Sequence, residues 1–276
     1  MRASHGRVAR GPRASRTPDC ARSNCTASAS PAARSSHWRR ARRQRDPGRV
    51  LYLYGGAYCR PITSQHWGWL RWLVDDLHAT VMVPLYPLAP ESDCEAAVAA
   101  ARAFQDLFAA RHGAVDVLMG DSAGAGLCLA TSLARRDAGE PLARSLVLLT
   151  PWVDLEVPHP RAAADAARDP MLALEGVREA GRLYAGTLGT DHPHASPLRA
   201  ELRGLPPMRV VVGTRDLLHR DALAFVDKAR ASGCEVELQV GHDLLHAWPL
   251  LPVPEARLAR EGVRRFVAGL APAADD

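Results

Sequence analysis

From residue 49 onward, short apolar runs alternate with longer stretches in which apolar residues recur at helical spacing. The apolar runs have the length of strands. We predict them near residues 50–54, 80–85, 115–120, 145–150, 208–213 and 235–240. Strands that alternate with helices favour parallel pairing with helices on both faces. The pattern therefore predicts an α/β fold with a mostly parallel central sheet.

Two of the intervening stretches carry clear helix signals. Residues 67–77 place tryptophan and leucine side chains on one face of an amphipathic helix. The next helix is predicted to open at a capping box formed by Ser92 and Glu95 and to end at Gly113. Its apolar stripe is typical of a helix face that packs against a core.

The run at 115–120 leads into Gly-Asp-Ser-Ala-Gly and then into an alanine-rich helical stretch. A strand, a sharp turn and a helix around G-x-S-x-G are typical of a nucleophile elbow, which presents Ser122 at the strand end. Gly120 and Gly124 lack the Cβ atoms that would collide where strand and helix meet. With Asp121, they form the supporting motif. An ordinary strand-to-helix turn is the alternative interpretation.

A serine hydroxyl needs a histidine to take its proton and a carboxylate to orient that histidine. In the chain order serine, acid, histidine, two loops after strands fit. The loop after 208–213 carries Asp216, and the loop after 235–240 carries His242 and His246. Spacing favours His246 but leaves His242 open.

Other acidic residues fit the acid position less well. Asp221 falls within the helix that should follow the loop, where we expect a solvated residue or a helix cap. Glu237 and Asp243 do not occupy a comparable position after a strand. Asp216 is therefore the predicted acid.

Hydrolysis at a serine also requires N–H donors for the developing oxyanion. One is predicted to be the backbone N–H of Ala123, the residue after the nucleophile. The others are predicted at Gly56 and Ala57, in the Gly-rich turn that follows the strand near 50–54. A plain Gly-Gly turn is the alternative.

Together these motifs resemble the α/β-hydrolase fold-3 family, the hormone-sensitive-lipase-like bacterial esterases and lipases. The similarity extends over residues 49–268 and includes the acid motif at 213–217 and the histidine motif at 246–248, which favours His246. The other matching motifs are Tyr54 to Ala57, Gly120 to Gly124, Pro84 to Glu91, Thr150 to Leu155, Asp169-Pro170, Ala195 to Leu198 and Gly204 to Pro207.

The resemblance implies a metal- and cofactor-free serine esterase that acts on small to medium acyl esters. Two features depart from the family pattern. Tyr54 stands where the family has histidine before Gly55, and Ala57 stands where it has a third glycine. The family also places cap helices and two strands before the Gly-rich turn, whereas residues 1–46 do not predict them. Replacement of the leading imidazole is expected to disturb the Gly-rich turn.

Charge divides the chain at about residue 46. The first 46 residues contain 12 Arg and 2 Asp, a net charge of +10, so the formal charge of +5 leaves −5 for the remainder. Few apolar residues and many Arg and Ser predict a disordered tail at 1–46. A mis-assigned or nonfunctional start is the favoured interpretation, with an organellar transit peptide or nucleic-acid contact as alternatives.

The expected organisation is a catalytic domain at 47–270, a cap insertion at 152–200 and a flexible end at 271–276. No apolar stretch is long enough to span a membrane, and the cysteines form no CxxC pair, which favours a cytoplasmic protein. The expected partner is a small-molecule ester, with no metal and no nucleic acid. The oligomeric state stays open, a homodimer being one option. Amide or lactone hydrolysis, or ligand binding by an impaired hydrolase fold, are the alternative functions.

Overall fold

The protein is described by a computed structural model that covers residues 34–38 and 48–270. The end predicted to be flexible, residues 271–276, lies outside these residues, as does most of the tail predicted at 1–46. The strands are β1 Arg34–Trp38, β2 Arg49–Leu53, β3 Thr80–Leu85, β4 Val117–Asp121, β5 Ser145–Leu149, β6 Met208–Gly213 and β7 Val236–Gly241. The six strands predicted from the apolar runs are confirmed as β2 to β7.

Seven α-helices and three short 3₁₀ helices connect the described strands or follow them. The α-helices are α1 Ser64–Asp76, α2 Cys94–His112, α3 Ala123–Asp137, α4 Ala162–Ala166, α5 Leu174–Ala185, α6 His219–Ala231 and α7 Ala256–Gly269. The 3₁₀ helices are Gly186–Leu188, Pro197–Arg199 and Trp248–Leu250. Within the described part of the chain, no helix is long and apolar enough to cross a membrane.

The strands form one sheet in the order β1-β3-β2-β4-β5-β6-β7. All neighbours from β3 to β7 pair in parallel, and β1 pairs antiparallel with β3. Helices α2 and α3 pack on one another, whereas α1 and α7 both contact the 3₁₀ helix Trp248–Leu250. Helices therefore cover both faces of the sheet, and the predicted α/β fold class is confirmed.

Two details differ from the sequence predictions. No strand is expected within residues 1–46, yet Arg34–Trp38 forms β1 at the sheet edge. Strand pairing uses the backbone N–H and C=O groups, and every residue except proline carries both. An edge strand can therefore form without alternating apolar side chains. Helix α2 is capped by Asp93, whose side chain accepts the Ala96 N–H, and not by Ser92. Gly113 ends α2 as predicted, with φ of 88°.

The chain order in the sheet defines where a site can form. From β2 the chain crosses to β3 on one side, and it later returns to β4 on the other side of β2. The carboxyl ends of β2 and β4 therefore flank a topological switch point, where α/β sheets place their ligand sites. The Gly-rich turn follows β2 and Ser122 follows β4.

Candidate active site

Ser122 occupies a strained turn between β4 and α3. Its backbone has φ of 51° and ψ of −122°, a conformation that an L-residue adopts only when its surroundings enforce it. Its N–H donates to the Leu149 carbonyl of β5 at 2.9 Å, and its own carbonyl accepts the Trp152 N–H at 3.1 Å. Hydrogen bonds to neighbouring backbone thus hold the turn from two sides.

The glycines of the motif are required by close approach of the backbone. A Cβ on Gly120 would lie 2.6 Å from the Leu53 carbonyl oxygen, and a Cβ on Gly124 would collide with the same atom. The end of β2 therefore touches the first turn of α3 directly. This contact brings the Gly-rich turn next to Ser122.

A continuous hydrogen-bond chain runs from Ser122 to Asp216. His246 Nε2 lies 2.9 Å from Ser122 Oγ, and His246 Nδ1 lies 2.9 Å from Asp216 Oδ2. A carboxylate can only accept, so Nδ1 carries the proton and Nε2 faces the serine hydroxyl with its lone pair. The structure brings together the three residues predicted as nucleophile, base and acid.

All three side chains are shielded from solvent. Ser122 is 8% exposed, His246 5% and Asp216 1%. Burial opposes the charged imidazolium, but the Asp216 charge and hydrogen bond, with the charges of Asp169 and Asp121, outweigh it. The pKa of His246 is therefore raised above its usual 6.5.

The loop of residues 214–218, here called the acid loop, is tied to the loop that carries His246. The Arg215 N–H donates to the Leu244 carbonyl at 3.0 Å. Within the acid loop, Asp216 Oδ1 accepts the Leu218 N–H at 2.8 Å. One oxygen of the Asp216 carboxylate thus accepts a hydrogen bond from its own loop, and the other accepts one from His246.

The competing candidates lie elsewhere. His242 is exposed, and no contact between it and Ser122 is among those of the described residues. Asp221 lies in α6, but it is only 4% exposed, so the expectation of a solvated residue or cap is wrong. Burial, reinforced by the charge of Asp154, raises the pKa of Asp221 to about 7.

Residues 55–58, here called the Gly-rich loop, follow β2 with unusual backbone angles. Gly56 has φ of 134°, Ala57 53° and Tyr58 61°. Among the hydrogen bonds of the described residues, none is donated by the N–H of Gly56 or Ala57. The N–H of Ala123 is the first of α3 and has no acceptor within the helix. These three N–H groups therefore have no acceptor among the described contacts, which is compatible with their predicted role as oxyanion donors.

Asp121 links this loop to the nucleophile turn. Its Oδ1 accepts the Gly55 N–H at 3.0 Å and the Tyr52 hydroxyl at 2.6 Å. Its Oδ2 lies 3.2 Å from His66 Nε2. Burial acts to raise the pKa of Asp121, but the hydrogen bonds from His66, Tyr52 and Gly55 outweigh it and hold the pKa below its usual value.

His66 is a site residue that the sequence did not indicate. Its Nδ1 accepts the Thr63 N–H at 3.0 Å at the start of α1, so the ring proton resides on Nε2 and points to Asp121. The two residues are 55 positions apart in the chain. Only the fold brings them together, because neither spacing nor periodicity relates a helix start to the nucleophile strand.

The Tyr54 side chain is packed in the core at the entry to the Gly-rich loop. Its ring is 2% exposed and stacks on Tyr86, with ring centroids 4.6 Å apart and planes at 27°. The Tyr86 hydroxyl donates to the Tyr54 carbonyl at 2.6 Å. The backbone that enters the Gly-rich loop is therefore fixed by a neighbouring side chain as well as by Asp121.

Comparisons with known proteins agree with this architecture. A family model described as alpha/beta hydrolase fold matches residues 50–250. An acetyl-hydrolase of Streptomyces hygroscopicus is 35% identical over 84% of this chain and 79% of its own. An esterase of Acinetobacter venetianus is 28% identical over 80% of this chain and 75% of its own.

Solved structures give the same result. An esterase from the bacterial hormone-sensitive lipase family superimposes with a TM-score of 0.78 at 34% identity, covering 85% of this chain and 80% of that one. The family model spans most of the chain, and the Gly-rich, Ser122, acid and histidine motifs follow β2, β4, β6 and β7 respectively. The predicted family is confirmed: the chain belongs to the α/β-hydrolase fold-3 family.

Proposed function

We propose that this α/β-hydrolase is a serine carboxylic ester hydrolase that acts through an acyl-enzyme. The observation that carries the proposal is the hydrogen-bond chain from Ser122 through His246 to Asp216, with 2.9 Å at each link. Family membership and relatives named esterase and acetyl-hydrolase support the same reaction class.

In the proposed mechanism, Ser122 Oγ attacks the ester carbonyl while His246 Nε2 takes its proton. The tetrahedral intermediate collapses as His246 returns that proton to the leaving alcohol, which leaves an acyl-serine. Water, deprotonated by His246, attacks the acyl carbon, and Ser122 Oγ regains the proton as the acid departs. Asp216 holds the imidazole and stabilises its charged form throughout.

The oxyanion of each intermediate is proposed to bind the N–H groups of Gly56, Ala57 and Ala123. The free donors of the Gly-rich loop and the first N–H of α3 support this assignment. Preorganised donors stabilise charge that develops only in the transition state, so they act mainly on the turnover number.

The segment between β5 and β6 is proposed to form the cap, within the predicted bounds 152–200. Support comes from Tyr184 of α5, which stacks on Tyr58 of the Gly-rich loop with ring centroids 3.5 Å apart and planes at 4°. The range of small to medium acyl groups is proposed from family membership. Cytoplasmic location is proposed from the free thiols of Cys59, Cys94, Cys128 and Cys234.

A fluorophosphonate probe and a series of p-nitrophenyl esters test the proposal. The parent should be labelled at Ser122 and should hydrolyse the acetate and butyrate faster than the laurate. The Ser122→Ala variant, with an unchanged circular dichroism spectrum, should show neither labelling nor turnover. A folded parent that is neither labelled nor active on any ester would overturn the proposal.

A further inference from the structure

Asp169 is a buried carboxylate in the segment between α4 and α5, 8% exposed. Its Oδ1 accepts the N–H groups of Met171 at 2.7 Å and Leu172 at 3.1 Å, which closes a local turn. Its Oδ2 accepts the Leu217 N–H at 2.8 Å. One carboxylate of the segment proposed as the cap thus holds the backbone of the acid loop.

The partner of Asp169 is the residue next to Asp216. Leu217 N–H binds Asp169, and the following N–H, that of Leu218, binds Asp216 itself. Two consecutive backbone N–H groups of the acid loop therefore donate to two different carboxylates. Both hydrogen bonds help to hold the loop in its conformation. In this conformation, Asp216 Oδ2 lies 2.9 Å from His246 Nδ1.

We propose that Asp169 is a positioning residue for the hydrolytic reaction, which holds the acid loop through Leu217 so that Asp216 faces His246. The inference rests on the proposed function and extends it, because it makes the geometry of the triad depend on the cap segment. Charge-assisted hydrogen bonds to backbone N–H groups are among the stronger ones, which suits this role.

The charge of Asp169 also acts on the base. Three carboxylates, those of Asp216, Asp169 and Asp121, favour the charged form of His246 against burial and raise its pKa. Loss of the Asp169 charge should therefore lower the pKa of His246. A neutral imidazole would then persist to lower pH, so the acid limb of kcat/KM should shift to lower pH.

The turnover number separates a positioning role from a structural one. If Asp169 served only the turn with Met171 and Leu172, its replacement would lower the melting temperature and, through the lost charge, shift the acid limb, but it would leave the kcat of the folded enzyme unchanged. Positioning of a catalytic group acts on the transition state, so the turnover number should fall while KM changes little.

The test compares Asp169→Asn with Asp165→Asn in the full chain. Asp165 is also buried, lies four residues earlier and pairs with Arg220 Nε at 2.6 Å without contacting Leu217. We expect Asp169→Asn to lower kcat by roughly 10- to 100-fold, since a misplacement of about 1 Å can cost 10²-fold. Its acid limb should shift to lower pH. Asp165→Asn should retain both the parent kcat and the parent acid limb.

Two further measurements keep the test decisive. Asp169→Ser retains a hydroxyl acceptor for the local turn but is too short to reach Leu217, so it should fold and show the same kinetic defect. NMR of the His246 Nδ1–H in the Ser122→Ala background reports its hydrogen bond to Asp216 without turnover, and this bond should weaken in both Asp169 variants but not in Asp165→Asn. An inactive, unlabelled parent would refute the proposed function, whereas the His246 Nδ1–H resonance would still test the role of Asp169. An active parent with kcat unchanged in both Asp169 variants would refute the inference, even if the acid limb shifts.

Discussion

The acid loop and the Gly-rich loop both approach Ser122, but they are held by different means. The acid loop is fixed by carboxylates that accept its backbone N–H groups, from Asp169 and from Asp216 itself. The Gly-rich loop has one such anchor, Asp121. Aromatic rings hold its two ends, where Tyr54 stacks on Tyr86 and Tyr58 stacks on Tyr184.

The difference predicts which positions tolerate a departure from the family pattern. At the acid loop, polar atoms contact the backbone and the base directly, so a change of residue removes a hydrogen bond. At residue 54 the described contacts of the side chain are with the rings of Tyr86 and His66. We therefore predict that an aromatic ring can replace an imidazole there without loss of turnover, because packing and the Tyr86 hydroxyl hold the backbone.

The largest effect should come from the proposed triad. Ser122→Ala and His246→Ala are each expected to lower kcat for p-nitrophenyl acetate by roughly 10⁴- to 10⁶-fold, because nucleophile and base act as a unit. His242→Ala is the matched control, since it removes an exposed imidazole from the same loop. A defect in His242→Ala as deep as that of His246→Ala would show that the base is misassigned.

Asp121→Asn should break the anchor of the Gly-rich loop. The carboxylate accepts from Gly55, Tyr52 and His66, and an amide would turn its NH₂ towards one of these donors. Loss of a complete oxyanion donor costs about 10²- to 10³-fold, so partial displacement of the loop should lower kcat by roughly tenfold or more.

The control for this variant is Asp116→Asn. Asp116 lies next to the opposite end of the same strand, is also buried and pairs with Arg49 at 2.8 Å. Both variants should lower the melting temperature, but only Asp121→Asn should lower kcat. Equal kinetic defects would mean that stability, not loop position, limits turnover.

The pH dependence of kcat/KM tests how the carboxylates near the acid loop act on His246. His246 must be neutral to take the serine proton, and its pKa is raised above 6.5. The value of kcat/KM should therefore fall as pH decreases through a midpoint above about 6.5, losing about tenfold per pH unit below it. An acid limb centred at or below that value would show that the carboxylates around His246 do not outweigh its burial.

Much of this architecture could be predicted from local pattern. The strands β2 to β7 are apolar runs, and Ser122, Asp216 and His246 each follow a strand in the expected order. The sheet then brings such strand ends together, so chain order alone predicts their proximity.

The residues that anchor the loops could not be found in this way. The contact of His66 with Asp121 and that of Asp169 with Leu217 join segments 55 and 48 residues apart, on elements without a shared periodicity. Strand β1 was missed for a related reason: its pairing depends on the free edge of β3, which no side-chain pattern encodes. A hydrogen bond between a single side chain and a residue distant in the sequence can be assigned only when the fold is known.

The smallest effect should come from the aromatic support of the Gly-rich loop. Tyr86→Phe removes the hydroxyl that donates to the Tyr54 carbonyl but keeps the stacked ring. A net hydrogen bond contributes about 1 kcal/mol, so kcat should fall by at most about fivefold, with KM little changed.

Tyr54→His should leave kcat close to that of the parent, because Tyr86 and Asp121 bind the backbone whichever ring occupies position 54. A tenfold gain in Tyr54→His would instead mean that the tyrosine displaces the Gly-rich loop, and that packing cannot substitute for the family's imidazole.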